Sequence, residues 1–134
     1  MREILFRGKR KENGEWMYGG LSQHKTGKVF IKCGSAISSY EVIPETVGQF
    51  TGEYSANTNK IFSKIFEHDI VIKVVDGKEL VGVVEYSDGA FGVRFADDSG
   101  QFLCFFGGCC KIIGNIHDNP ELLKEGVDYG STDM

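Results

Sequence analysis

No stretch of this sequence approaches the ~20 consecutive apolar residues that a membrane-spanning helix requires. The start, Met1-Arg2-Glu3-Ile4-Leu5-Phe6-Arg7, also lacks the uninterrupted apolar region of a secretory leader. The chain is therefore expected in the cytoplasm, away from membranes, with its four cysteines as reduced thiols. A surplus of positive charge is missing too. The formal net charge is -4, which argues against a general nucleic-acid binder, since such proteins neutralise phosphates with excess Lys and Arg. Nucleotide-binding signals are absent: Gly19-Gly20, Gly107-Gly108 and the other glycines build neither G-x-G-x-x-G nor a phosphate loop. Nor does any Ser or Cys sit in a recognisable nucleophile motif. Proline is scarce, two residues against eighteen glycines, which points to many tight turns and few long helices.

What is present suits a β protein of about one domain. At 134 residues, chains of this kind bury roughly two-thirds of the surface they expose when unfolded. The 41% apolar content, with ten Phe, is enough to fill a core. Residues 1–50 read as a set of N-terminal strands. Ile4–Gly8 and Trp16–Gly19 flank Asn13-Gly14, a strong hairpin signal. Lys28–Lys32 is rich in β-branched and aromatic residues, and two shorter runs, Tyr40–Ile43 and Thr46–Phe50, lie on either side of Pro44. Residues 51–64 are polar and read as an irregular loop, long for a structureless connection.

From 65 to 116 the pattern becomes regular. Ile70, Ile72 and Val74 alternate with an outward Lys73. Asp76-Gly77, Asp88-Gly89 and Asp97–Gly100 supply turns between Leu80–Tyr86, Phe91–Phe95, Phe102–Phe106 and Cys110–Ile116. Five short strands at about 8–12-residue spacing predict a five-stranded SH3-like barrel, packed with the N-terminal hairpin and its small sheet. Phe102–Phe106, apolar on both faces, is expected to be buried. Asn119, Pro120 and Glu121 have the order of a helix start and Gly126 can end it, so a short helix is expected over 117–126, followed by a tail over 127–134.

The motifs in these segments resemble the YopX family, small proteins encoded mostly by bacteriophages and prophages. The resemblance is carried by four places: Phe6-Arg7-Gly8-Lys9 with Gly14-Glu15-Trp16 and Tyr18-Gly19; Val42 to Gly52; Ile65-Phe66-Glu67-His68-Asp69-Ile70-Val71; and Ile113 to Leu122. They follow the family's order across most of the chain. His68 stands where the family pattern usually has Gly, and Asn57–Ser63 lacks the usual Asn-Gly-Lys turn. The resemblance implies a β-rich fold, a phage or prophage context in a bacterial host, and a function not known to be enzymatic. It supplies no catalytic residues.

The chemistry of the remaining residues agrees with a protein that is not an enzyme and carries no cofactor or metal. Cys104, Cys109 and Cys110, with distant Cys33, lack the paired spacing of a structural zinc site and read as inert apolar thiols. Glu67-His68-Asp69 and His117-Asp118 put imidazoles beside carboxylates, yet neighbours along an extended chain diverge, and the acids are expected to bond turn N–H groups. The charge is uneven. Arg2, Arg7, Lys9, Arg10 and Lys11 crowd the start, and Asp118, Glu121, Glu125, Asp128 and Asp133 crowd the end. Trp16 and Tyr18 are two apart and share a strand face with Arg7 and Lys9 across the hairpin. Arg7, Lys9, Arg10, Lys11, Trp16 and Tyr18 thus form the candidate interaction surface. The expected activity is a non-catalytic binding or assembly module with a protein partner or a second copy of itself. A nucleic-acid accessory role through the basic N-terminus is the alternative, disfavoured by the net charge.

Overall fold

Turn chemistry sets the register of the strands. Asp76 and Gly77 have φ of 51° and 79°, and Asp88 and Gly89 have 53° and 81°. Two successive left-handed residues match the right-handed twist of the flanking strands, which is why Asp-Gly closes two-residue hairpins. The computed structural model describes residues 3–34, 38–55, 63–95, 100–102 and 110–123. Over these the chain is mainly β, built as two antiparallel sheets with one short helix. It divides into two compact units, Met1–Gly52 and Glu53–Met134.

The first unit holds β1 (Phe6–Lys9), β2 (Trp16–Gln23), β3 (Val29–Cys33), β4 (Ser38–Val42) and the start of β5 (Gly48–Ser55), hydrogen-bonded in the order β4-β3-β2-β1-β5. The β1–β2 turn is longer than a two-residue Asn-Gly hairpin. Arg10 N–H donates to Glu15 O and Gly14 N–H to Arg10 O, while Asn13 Oδ1 accepts from Glu15 N–H at 3.0 Å. Strand β2 changes partners midway, pairing β1 over Trp16–Gly19 and β3 over Gly20–Gln23. Gly19 makes that bend: a Cβ there would lie 1.9 Å from the Lys32 carbonyl oxygen.

The bend curls the sheet until β4 returns to the end of β1. Arg10 bridges Val42, with Ile43 N–H donating to Lys9 O at 2.8 Å and Lys11 N–H to Glu41 O at 2.9 Å. A 3-10 turn, Pro44–Thr46, follows, as Pro44 suits a strand end. Buried Thr46 locks it by accepting from Lys9 N–H at 2.9 Å and donating to Ile43 O at 2.6 Å. Inside lie Val29, Ile31 and Val42, with Phe6, Met17, Leu21, Cys33 and Val47 packed around them. Each fully buried aliphatic side chain of this kind contributes about 1.5–3 kcal/mol.

The second unit holds the end of β5, then β6 (Ser63–Phe66), β7 (Asp69–Val75), β8 (Lys78–Ser87), β9 (Ala90–Phe95), β10 (Gly100–Phe102) and β11 (Lys111–Asn115). Strands β7 to β11 form a sheet in the order β10-β9-β8-β7-β11, with a bulge in β11 between Ile112 and Gly114. A four-strand meander whose first strand also receives the last is consistent with the SH3-like arrangement. Its core is Ile65, Val71, Val84, Val93, Phe95 and Cys110. Residues 120–123 form the helix, α1.

Two local expectations differ from the structure, and others fall on residues it does not describe. Residues 51–55 and 63–64 are strand rather than loop, and 56–62 lie outside the described residues. Of the expected inward set in β7, Ile70 is buried, but Val71 beside it is buried as well and joins the core, while Ile72 is half-buried and Val74 is 60% exposed. Five of six positions from Ile70 to Val75 are apolar, so alternation alone could not choose the face, and a one-residue slip inverts it. Only Gly100–Phe102 of the next expected strand is described; 103–109, with Cys104 and Cys109, falls outside, as do the tail and the proposed end of the helix at Gly126.

Gly19→Ala is expected to force β2 and β3 apart and cost about 1–3 kcal/mol. The lone tryptophan, Trp16, reports it directly: its emission midpoint in urea should fall. An unchanged midpoint would show that Gly19 is not the point of closest approach.

Candidate functional site

The residues singled out near the N-terminus separate into two groups. Lys9 lies opposite Trp16, and Arg7 opposite Tyr18, so these four share one face of β1 and β2. The Arg7 guanidinium sits 4.7 Å from the Trp16 ring centre and Lys9 Nζ 5.7 Å away. Arg7 is only 6% exposed, whereas Tyr18 is 46% exposed. The indole is thus already engaged by cations of its own sheet, each such contact worth about 0.5–1 kcal/mol at exposed sites and more when dry.

Arg10 and Lys11 point elsewhere, to the seam between β1 and β4. Arg10 lies over the Tyr40 ring at 4.5 Å and pairs with Glu12 at 2.5 Å; Lys11 Nζ is 3.5 Å from Glu41 Oε2. Two depressions flank this seam. One, of about 330 Å³, is lined by Arg10, Lys11, Glu12, Ser39, Tyr40 and Glu41; the other, of about 280 Å³, by Lys11, Thr26–Lys28, Glu41, Ile43 and Pro44. Tyr40, Ser39 and Glu41 were not legible as site residues. They reach Arg10 and Lys11 only because the sheet closes, and no local pattern announces that.

The edge of β4 is specific in its chemistry. Ile43 N–H and Glu41 O face Lys9 and Lys11, so odd-numbered residues of β4 direct their backbone groups away from β3. Ser39, two residues before Glu41, turns its N–H and C=O the same way, beyond the point where the Arg10–Val42 bridge ends. Ser38 and Ser39 are both exposed.

A second cluster lies in the second unit. His68, in the turn between β6 and β7, has φ of 76°. Its N–H donates to Val84 O at 2.8 Å and its carbonyl accepts from Ile116 N–H at 3.0 Å. A side chain in the left-handed region costs about 1–2 kcal/mol that Gly avoids, which accounts for the usual Gly of the resembled pattern. Buried Asp69 accepts from Phe66 N–H at 2.8 Å, the turn role expected of it. After β11, Asn115 Oδ1 accepts from the N–H groups of His117 and Asp118 at 3.0 and 2.9 Å, and Asn119 Oδ1 accepts from Asn115 N–H. These turns bring together two residues that are 49 apart in sequence: His117 Nε2 is 3.2 Å from His68 Nδ1. Asp69 and Asp118 beside them are tied into the turns, Asp118 accepting from Asn115 Nδ2 at 3.2 Å. Of the cysteines, Cys110 is buried and Cys33 half-buried, both free thiols. Among the described residues no three His, Cys, Asp or Glu side chains converge on one point.

The fold defines an antiparallel β protein of two compact units, one closed at β4 and β1 and the other a four-strand meander with a returning fifth strand. The YopX protein family profile matches residues 5–124, and the chain belongs to that family. The crystal structure of protein yopX from Bacillus subtilis is similar over 92% of this chain and 97% of that one, with 20% identity and a TM-score of 0.56, a likeness of fold. No curated protein matches the chain. No helix among the described residues is long and apolar enough to cross a membrane.

Asp69→Ala removes the acceptor of the Phe66 N–H in a buried turn and is expected to cost about 1–3 kcal/mol. Urea unfolding followed by circular dichroism measures it; a loss below ~0.5 kcal/mol would deny the carboxylate this role.

Proposed function

We propose that the protein is a non-catalytic binding or assembly module of phage or prophage origin. It acts in the cytoplasm of the bacterial host and engages a protein partner, or a second copy of itself, along the open edge of β4. The observation carrying this reading is the main-chain edge at Ser39, which faces away from β3 past the end of the closure and beside a depression of about 330 Å³. Among the described residues nothing pairs with that edge, and such an edge is a template for strand addition, with the neighbouring side chains supplying specificity. The non-catalytic part is supported by the turn roles of Asp69 and Asp118, which take their carboxylates into backbone and side-chain bonding. The nucleic-acid alternative has less support: Arg10 and Lys11 are matched by Glu12 and Glu41, and the net charge is -4.

Ser39→Pro tests the edge. It deletes the outward N–H while leaving the hydrogen bonds to β3 intact, a substitution edge strands tolerate. Wild type is expected to sediment above monomer mass, or to capture a protein from lysogenic host extract, and S39P to weaken that association at least tenfold. Equal association would move the site off β4. A wild-type monomer that captures nothing would remove the reading altogether.

A further inference from the structure

We propose that His68 and His117 form a binding site for a borderline divalent transition-metal ion such as Zn(II), held between His68 Nδ1 and His117 Nε2 with solvent completing the coordination. The two nitrogens are 3.2 Å apart. Two ligands on a tetrahedral ion, each at about 2.0–2.1 Å, lie about 3.3–3.4 Å from one another. Closing the remaining gap needs a movement of only a few tenths of an ångström.

Ring orientation supports the same reading. The imidazole centres are 5.0 Å apart with their planes at 80°. Were the two nitrogens aimed straight at each other, the centres would be about 5.5 Å apart at this N···N distance, given the size of an imidazole ring. The shorter separation means that at least one ring is turned off the N···N line. Such a turn leaves that nitrogen directed to one side of the contact, and a tilt of the other ring to the same side gives an ion a place between them. Imidazole nitrogen suits zinc, copper and nickel, and hard cations such as magnesium or calcium are not expected to bind.

The rings are carried on a fixed frame. His68 is held in the left-handed region by bonds from its own N–H to Val84 O and from Ile116 N–H to its carbonyl. His117 N–H is fixed on Asn115 Oδ1 at 3.0 Å. Both side chains are half-buried, and Glu67, Asp69 and Asp118 flank them in the chain, adding negative charge that favours a cation. In the free protein one imidazole donates its N–H to the other. On binding, that proton passes through solvent to the distal nitrogen of its own ring, and both rings ligate as neutral imidazoles.

The test titrates full-length protein with ZnCl₂ while following the imidazole resonances of each histidine by NMR and the affinity by calorimetry. His68 and His117 resonances are expected to move together and saturate at one ion per chain, with His24 unmoved. His68→Gly, which suits the left-handed backbone, and His117→Gln should each weaken binding at least tenfold while keeping the dispersed amide spectrum of the folded protein. The proposal is overturned if the wild-type His68 and His117 resonances stay in place at tenfold excess of Zn(II). It is equally overturned if both variants bind as tightly as wild type, an outcome that assigns the ion to the cysteines.

Discussion

The backbone closure between Val42 and Arg10 is the constraint on which the first unit depends. Without it β4 would be an ordinary outer strand, and Ile31 and Val42 would have one side against water. With it, Ile43 N–H and Lys11 N–H find acceptors across the seam, and Val29, Ile31 and Val42 are enclosed. The closure needs β2 to bend, and β2 bends at the one place where a side chain would collide with the Lys32 carbonyl. Gly19, the Arg10–Val42 bridge and the Thr46 hydroxyl therefore act together. The same seam stacks Arg10 on Tyr40 and sets Lys11 beside Glu41. It also ends before Ser39, and no described strand pairs with that side of β4 beyond it.

The second unit is held by local devices of higher predictability. Two Asp-Gly turns set the β7–β8 and β8–β9 registers, and Tyr86 packs edge-on against Phe91, directly opposite, at 5.0 Å. The less regular part is the junction of the β6–β7 turn with the segment after β11. There the chain accepts a left-handed histidine, a buried carboxylate and two asparagines bonded to nearby backbone. A turn maintained at that conformational expense is stable only because several hydrogen bonds over-determine it. Its by-product is a pair of imidazoles in contact across 49 residues of sequence.

Much of this was legible beforehand. The β class, the two Asp-Gly hairpin turns, the Pro44 break, the start of the last helix at Pro120 and the shared face of Arg7, Lys9, Trp16 and Tyr18 all follow from period, turn residues and caps. The core face of β7 was not, because its run is apolar almost throughout and a slip of one residue exchanges the faces. The strand character of residues 51–55 was missed because Thr, Gly, Glu, Tyr and Ser carry little apolar alternation. Arg10 and Lys11 were grouped with Arg7 and Lys9 by proximity in sequence; the chain leaves β1 between them, and the two pairs end at different places.

The sequence by itself determined the β class, most of the strands and the family, since these rest on short-range steric and hydrophobic preferences that each segment expresses alone. Tertiary structure alone decided which strands close the first sheet, where that closure ends, and that His68 meets His117. Those outcomes depend on hydrogen bonds between segments some tens of residues apart. No residue encodes such a bond until the intervening chain has bent to bring its partner within about 3 Å.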